Sequence, residues 1–315
     1  MKNTNSLGHC LVTGGTGYIG SRLIKHLISC GNPVRTLSRR IIPNTETILC
    51  DFEKEEIPAN TLDSIDTVFH LAGLSKDIGN NRKLEGLYKK INVDISVCLG
   101  KYAMIYNVKH FVYVSSVKAA GEIITKQDCL TEEDVGELTG IYSRTKREAE
   151  VSLMNLSKNS DMHLSILRPS MVYGPNVGGN IGSMLSGVEK GWFPPLPEIE
   201  NRKSMIHVSD LIRALLFLAS NNDTNGEIFI ATDGLNYSSR DMYNIYCDLL
   251  NKTPPSWSVP EFVFKMLSLV SMSLKNKVNK IIGSECYSSE KLRHLGFEPK
   301  LSLQDINKDY YIECD

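Results

Sequence analysis

The feature that most constrains this fold is a glycine-rich loop between a strand and a helix at the start of the chain. The strand runs from His9 to Thr13, the loop reads GGTGYIG over residues 14–20, and a helix pattern follows. Gly14, Gly17 and Gly20 lack the Cβ atoms that would block a tight turn, a close phosphate and close helix–strand packing. Because the first amides of a helix favour negative charge, this arrangement predicts a site for the pyrophosphate of a dinucleotide.

The first half of the chain alternates between strand and helix patterns. Further strands are predicted at 33–37, 46–50, 67–71, 110–115 and 164–168, and long helices at 84–106 and 143–156. Apolar strands that alternate with helices are typical of a parallel sheet covered on both faces. We therefore predict an α/β fold, a Rossmann-type doubly wound parallel sheet.

The alternation stops after residue 168. Glycine and proline cluster over 174–197, a helix and a strand return at 207–219 and 227–231, and the remainder is mainly helical. This change predicts a smaller, mainly helical C-terminal substrate cap beside the nucleotide-binding domain. The predicted division gives residues 1–173 and 205–232 to the nucleotide-binding domain, and residues 174–204 and 233–315 to the cap.

Composition narrows the classes of partner. The net charge is −1 without a long basic run, which argues against a nucleic-acid partner. The apolar segment Phe262 to Leu274 is too short to span a bilayer, so it predicts a packed amphipathic helix, with a membrane-surface helix as the alternative. The polar N-terminal residues do not resemble a signal peptide.

Eight cysteines are scattered along the chain without a C-x-x-C pair. Several fall within apolar patterns, where cysteine acts as a small buried side chain. We predict a reduced, cytoplasmic protein without a disulfide framework or a metal site.

Tyr142 and Lys146 are candidate acid/base residues. They are four residues apart at the start of a predicted helix, so both project from one face. A cation roughly 4 Å from the phenol would lower its pKa by about three units, from a reference near 10 towards neutrality. Ser115 and Ser116 end a predicted strand at the sheet edge where open α/β folds bind ligands, and a serine there can donate to a substrate oxygen.

These residues together resemble the extended short-chain dehydrogenase/reductase family, in particular its nucleotide-sugar epimerase/dehydratase branch. The resemblance runs nearly end to end. The matching segments are the loop at 13–20, Asp51, the stretches at 70–73, 91–93, 114–116 and 142–146, and those at 168–175, 206–210 and 295–299.

The resemblance implies a role for each matched residue. Ser116, Tyr142 and Lys146 would be catalytic, with Ser116 rather than Ser115 as the serine. The cofactor-binding set would comprise Gly14, Gly17, Tyr18, Ile19, Gly20, Ser38, Arg39, Asp51, Phe52, Leu71, Ala72, Gly73, Tyr142, Lys146, Pro169 and Val172. The substrate-binding set would comprise Asn92, Ser116, Asn180, Arg202 and Lys203. Met171 departs from the family, which often has asparagine there, and the helices at 84–106 and 143–156 imply a homodimer.

The end of the second strand bears on the choice of cofactor. A dinucleotide fingerprint that prefers NAD has an acidic residue about 20 residues after the glycines, to bind the ribose 2′-hydroxyl. Here Ser38, Arg39 and Arg40 occupy that place, and they suit the 2′-phosphate of NADP. We therefore favour NADP(H), with NAD(H) as the alternative.

NADPH use favours net reduction, so the first hypothesis is a 4-keto-sugar-nucleotide reductase. The alternative is a UDP-hexose (glucose or N-acetylglucosamine) 4-epimerase with bound NAD, and the second alternative is a dihydroflavonol- or hydroxysteroid-type ketone reductase. A dehydratase is disfavoured because Val117 and Lys118 follow Ser116 where that branch carries an Asp-Glu pair. A dinucleotide sensor without activity is disfavoured because the serine, tyrosine and lysine are all present.

Overall fold

A seven-stranded parallel sheet forms the centre of the molecule. The computed structural model describes residues 7–75, 81–123, 128–158 and 160–306. The strand order is β3-β2-β1-β4-β5-β6-β9, and every neighbouring pair is parallel. The strands are β1 (Cys10–Thr13), β2 (Val34–Ser38), β3 (Glu46–Leu49), β4 (Thr67–His70), β5 (His110–Val114), β6 (His163–Pro169) and β9 (Glu227–Ala231). The predicted doubly wound sheet is confirmed.

Helices cover both faces of this sheet. They are α1 (Tyr18–Ser29), α2 (Arg82–Lys89), α3 (Ile95–Ile105), α4 (Gly140–Ser157) and α6 (Val208–Ser220). On one face, α1 and α6 pack with a core cluster that includes Val12, Phe69 and Leu215. On the other face, α3 and α4 pack with a cluster that includes Leu11, Phe111 and Leu153. The inner strands are buried on both sides, which explains their nearly continuous apolar sequence.

The single helix predicted over 84–106 is interrupted. Between α2 and α3, residues Lys90–Asp94 form one π-helical turn. Asn92 lies in this turn and is fully buried. An extra residue in a helix is a common way of turning a polar side chain inward near a functional site.

The cap has its own small sheet and core. Strands β7 (Met171–Tyr173), β8 (Lys203–His207) and β10 (Asn236–Tyr237) form the sheet in the order β10-β8-β7. The cap helices are α5 (Gly179–Lys190), α7 (Ser239–Leu249), α8 (Glu261–Val270) and α9 (Met272–Ile282). Tyr173, Tyr237 and Tyr246 are fully buried in this core.

The predicted domain division stays a prediction, and packing departs from it at two places. Residues 171–173 and 205–207, which the division gives to the nucleotide-binding domain, lie in β7 and β8 of the cap sheet. The helix α10 (Glu290–His294) contacts β9, and Leu292 and Phe297 belong to the core of the nucleotide-binding domain. The C-terminal segment thus crosses back from the cap to the main sheet. Residues 1–6 and 307–315 of the two predicted domains lie outside the described residues.

The segment predicted as one packed amphipathic helix differs from that prediction. It forms α8 and the start of α9, which pack against each other. Phe264 is the one buried residue of α8, while Phe262, Leu269 and Val270 are exposed. No helix in the part of the chain that the structure describes is long and apolar enough to cross a membrane.

The prediction that the cysteines form no disulfide is wrong, because Cys129 is bonded to Cys286. These cysteines are 157 residues apart in the sequence. An isolated parallel β-bridge between Leu130 and Tyr287, the residues that follow them, brings the two backbones side by side. No local spacing pattern could have revealed this pair. The other cysteines that the structure describes are free thiols. Within the described residues, no group of three or more His, Cys, Asp or Glu side chains could hold a metal ion.

Candidate active site

A cavity of about 470 Å³ opens at the carboxyl edge of the parallel sheet. It begins at the glycine loop before α1 and extends past the ends of β4 and β5 to α4. Every residue of the predicted cofactor-binding set lines this cavity, whereas Arg40, also considered for a 2′-phosphate, does not. The residues of this set lie together because the carboxyl ends of parallel strands meet at one edge of the sheet. That these residues bind a cofactor stays a prediction.

The glycine loop leaves no space for side chains. Gly14 has a φ of +72°, and a Cβ there would lie 2.8 Å from the amide nitrogen of Ala72. A Cβ on Gly20 would collide with the carbonyl oxygen of Gly14. The N-cap residue of α1, Gly17, makes no side-chain capping bond, so the first amides of α1 open towards the cavity. Such a helix start binds phosphate oxygens.

The other end of the cavity carries buried hydroxyl groups. Ser115 and Ser170 are 4% and 5% exposed, and both line the cavity. Among the described residues, neither Oγ has a hydrogen-bond partner within the protein. Buried polar atoms are normally satisfied, so these hydroxyls are suited to a polar ligand. The glycine cradle and these hydroxyls together fit a nicotinamide dinucleotide.

A carboxylate that the sequence analysis missed, Glu53 after β3, lies beside the end of β2. Ser38, Arg39 and Glu53 line the cavity, and Arg39 Nη1 lies 4.0 Å from Glu53 Oε1. Arg40 is not among the lining residues, and its backbone amide donates to Ser38 Oγ at 3.3 Å. The signal was available, since Glu53 closely follows Asp51 after the third strand. This pocket end therefore holds both a cation and an anion.

Ser116 and Tyr142 lie where the cofactor cavity meets a second cavity, because both residues line both spaces. Ser116 follows β5, and its Oγ accepts the Lys118 amide at 3.2 Å. Tyr142 is in the first turn of α4, which begins at Gly140 with a φ of +84°. A hydroxyl and a phenol therefore face the boundary between two ligand-sized spaces.

Lys146 lies one helical turn beyond Tyr142 and is 4% exposed. Its Nζ donates to the Val114 carbonyl at 2.8 Å and to the Tyr113 hydroxyl at 3.2 Å. Burial lowers the pKa of Lys146 to about 8, and Glu150 offsets part of this effect. Tyr142 and Lys146 thus both line the cofactor cavity. Hydrogen bonds hold the Lys146 ammonium at the end of β5.

The second cavity, of about 610 Å³, lies between the sheet edge and the cap. Asn180 and Lys203, both predicted to bind substrate, line it, as does Met171. Arg202 is exposed and is not among the lining residues. Lys203 is 2% exposed and donates from Nζ to the Lys280 carbonyl at 3.0 Å.

Asn92 does not line either cavity. Its Oδ1 accepts the Leu74 amide at 2.7 Å, and its Nδ2 donates to Thr145 Oγ1 at 3.1 Å. The side chain therefore ties the loop after β4 to α4. Its geometry supports positioning of the site rather than the direct substrate contact that the resemblance implied.

Charged residues of the second cavity include three that sequence reasoning missed. Lys118, Lys280 and Glu285 line it, and Lys118 Nζ lies 2.6 Å from Glu285 Oε1. Burial alone would raise the pKa of Glu285, but Lys118 and Lys203 outweigh it and lower that pKa. The carboxylate is therefore ionised and paired, so it is not a proton donor for elimination.

The comparisons with known proteins agree with this geometry. Residues 10–231 match the family model described as NAD dependent epimerase/dehydratase family. A UDP-glucose 4-epimerase of Vibrio cholerae is 28% identical over 307 residues, which cover 94% of this chain and 92% of that protein. A 3-beta-hydroxysteroid dehydrogenase of Mycolicibacterium neoaurum is 26% identical over 244 residues, which cover 72% of this chain and 66% of that protein.

Among solved structures, MoeE5 in complex with UDP-glucose and NAD matches with a TM-score of 0.77 at 23% identity, covering 95% of each chain. This similarity establishes the shared fold. The family match covers most of the chain, and the catalytic residue types of the resemblance lie together at one cavity. The chain belongs to the NAD-dependent epimerase/dehydratase family and is an enzyme of the short-chain dehydrogenase/reductase type.

Proposed function

We propose that this enzyme interconverts the C4 epimers of a UDP-hexose, with NAD in the first cavity and the sugar in the second. The observation that carries the proposal is the position of Ser116 and Tyr142 on the lining of both cavities. A carbinol carbon at that boundary would contact both groups and face the end of the dinucleotide site. The Vibrio cholerae relative, a UDP-glucose 4-epimerase, supports this choice of reaction.

The chain's own residues supply the acid/base chemistry. Tyr142 would take the proton of the sugar 4-hydroxyl and later return it, while Ser116 Oγ would hold the same oxygen in place. The Lys146 ammonium would stabilise the phenolate form of Tyr142 by its charge. When bound, the nicotinamide supplies the hydride acceptor and donor that this chemistry needs.

The second cavity offers cations for a nucleoside diphosphate. Lys203 and Lys280 share one wall, and Lys118 lies beside Ser116, with Glu285 between the lysines. Ammonium groups in a partly buried pocket bind diphosphate oxygens by charge-assisted hydrogen bonds. Asn180 at the rim is proposed to contact the nucleotide, and Arg202 stays a predicted diphosphate ligand. These charges favour a sugar nucleotide over the apolar rings of a steroid.

A second candidate is an NADPH-dependent reductase of a 4-keto-sugar nucleotide. The supporting observation is Arg39, which lines the cavity next to Ser38 and suits a 2′-phosphate. Glu53 at 4.0 Å from Arg39 opposes it, because a carboxylate repels a phosphate and can accept from a ribose hydroxyl. We therefore rank NAD first here, and NADP(H) stays the sequence-based alternative.

We also propose that two copies associate through the run Arg82–Ile105 and α4, as the resemblance implies. These helices lie side by side on one face of the sheet. Light scattering of the purified enzyme should give twice the mass of one chain, and a single-chain mass would contradict the proposal. The cytoplasmic location stays a prediction.

The reaction can be tested with purified enzyme and UDP-glucose or UDP-galactose. We expect interconversion of the two sugars by NMR without net change at the nicotinamide absorbance band. Consumption of NADPH by a 4-keto-sugar nucleotide, without interconversion of UDP-hexoses, would instead establish the reductase.

A further inference from the structure

The helix α8 presents a band of apolar side chains to solvent. We define the α8 stripe as Phe262, Met266, Leu269 and Val270, which are 61%, 64%, 85% and 72% exposed. Their spacing of i, i+4, i+7 and i+8 places them on one side of the helix. Phe264 on the other side is buried in the cap core. The exposed band is therefore separate from the surface that holds α8 to the molecule.

The surroundings of the stripe are basic. Residues 261–282, which form α8 and α9, contain four lysines and one glutamate, although the whole chain has a net charge of −1. The single carboxylate, on Glu261, lies 2.9 Å from Lys265 Nζ and is neutralised within the helix. On α9, Lys275 is exposed, whereas Lys280 lines the second cavity and helps to lower the pKa of Glu285. An apolar stripe on a hairpin with an excess of lysine is the pattern of a helix that lies on an anionic membrane.

We propose that the α8–α9 hairpin docks this enzyme on an anionic lipid surface. α8 has ten residues and so a length of about 15 Å, about half of a bilayer core, which suits a helix lying in the interface. Trp257, which is 61% exposed, precedes the Pro260 cap of α8 and has the amphipathic ring that such interfaces favour.

Charge favours a lipid surface over a second copy of the chain as the occupant. A symmetric contact through the stripe would bring two hairpins with the same excess of lysine together, and like charges in a contact are costly. Anionic headgroups instead complement the lysines while the acyl boundary accepts Leu269 and Val270. The sequence segment Phe262 to Leu274 considered alone lacks this charge, because most of the lysines belong to α9.

Docking would also orient the second cavity. Lys280 and Ile281, at the end of α9, line that cavity. The helix α9 therefore belongs both to the proposed docking hairpin and to the wall of the cavity. The cavity would then lie close to the headgroup layer. This proposal concerns where the enzyme sits, and it does not depend on which sugar reaction it catalyses.

The test is flotation of the purified enzyme with vesicles of phosphatidylcholine, with or without phosphatidylglycerol. We expect the enzyme to float with the mixed vesicles and to be released by high salt. Leu269→Ser/Val270→Ser should weaken this binding about tenfold, and Lys275→Glu about fivefold. A matched variant, Ile41→Ser/Val135→Ser, changes two exposed apolar residues elsewhere, which are 76% and 64% exposed, and should bind as the wild type does.

Each variant is also assayed with a soluble UDP-hexose, which separates docking from catalysis. Unchanged turnover with reduced flotation supports the proposal. Equal flotation of the stripe variant and the wild type, or no flotation of the wild type, would overturn it. An oligomer that Leu269→Ser/Val270→Ser dissociates, without lipid binding, would assign the stripe to a second copy and also overturn it.

Discussion

Lys146 determines the electrostatics of the proposed acid/base pair. Its side chain is 4% exposed at the cavity, with the Val114 carbonyl and the Tyr113 hydroxyl as hydrogen-bond acceptors of the ammonium. Burial brings its pKa down to about 8, well below the usual value of 10.5. The charge that would stabilise a Tyr142 phenolate is therefore present at neutral pH and is lost in mildly alkaline solution.

The lowered pKa of Lys146 predicts that kcat/KM declines at alkaline pH. kcat/KM should fall as pH rises through about 8, because Lys146 then loses the charge that supports Tyr142. Lys146→Arg keeps its charge at all these pH values, so whatever activity it retains should lack this decline. A wild-type profile that stays flat to pH 10 would contradict the assigned role.

The same shift has a consequence for stability. The folded pKa of Lys146 lies below the unfolded value, so the unfolded chain binds more protons between about pH 8 and 10.5. This residue therefore disfavours folding at neutral pH, and its penalty is relieved as pH rises through that window.

Ser115 and Ser116 form a natural pair for testing the serine assignment. Ser116 lines both cavities, whereas Ser115 lines the cofactor cavity alone. Ser116→Ala should lower kcat about 100-fold, since a donor to the reacting oxygen is lost. Ser115→Ala should mainly weaken dinucleotide affinity. Steady-state kinetics and cofactor titration distinguish these outcomes, and the reverse pattern would make Ser115 the catalytic serine.

At the scale of elements, a buried ion pair fixes α4 to the sheet. Arg168 on β6 donates from Nε and Nη2 to Glu150 at 2.8 and 2.7 Å, and both side chains are fully buried. Glu150 lies one turn beyond Lys146 on α4. The pair therefore holds the helix that carries Tyr142 and Lys146 at its distance from β6.

Breaking this pair on one side should be costly. Arg168→Leu leaves the Glu150 carboxylate buried, with Arg147 at 3.5 Å as its remaining ion-pair partner among the described residues, so we expect a loss of about 3 kcal/mol in the free energy of unfolding. Arg168→Leu/Glu150→Leu removes both charges and should recover most of the lost free energy of unfolding. Urea unfolding measures each value. A double variant that is less stable than the single one would contradict this explanation.

Strands and helices could be predicted from the sequence where a local hydrophobic pattern was enough to determine them. The inner strands of the parallel sheet, such as β5, were found because burial on both faces makes them nearly continuously apolar. The π turn at Lys90–Asp94 was missed because one extra residue barely disturbs a helical pattern. The solvent exposure of α8 was missed because an apolar helix pattern does not say which face finds a partner.

At the scale of the whole molecule, the cofactor cavity was predictable and the substrate cavity was only partly so. The first follows from topology, which brings all carboxyl strand ends to one edge. The second depends on contacts between distant segments, such as Lys118 with Glu285, which are 167 residues apart. The bond between Cys129 and Cys286 depends on the same association. Such contacts carry no local sequence signal.

The central claim is that Tyr142 is the acid/base group of a UDP-hexose epimerase. The most direct measurement is the rate of UDP-glucose interconversion, together with NAD affinity, for Tyr142→Phe and for the control Tyr113→Phe. Tyr113 also contacts Lys146 but lines neither cavity. We predict that Tyr142→Phe lowers kcat about 1,000-fold with NAD affinity nearly unchanged, while Tyr113→Phe stays much closer to the wild type. Near wild-type turnover by Tyr142→Phe would contradict the claim.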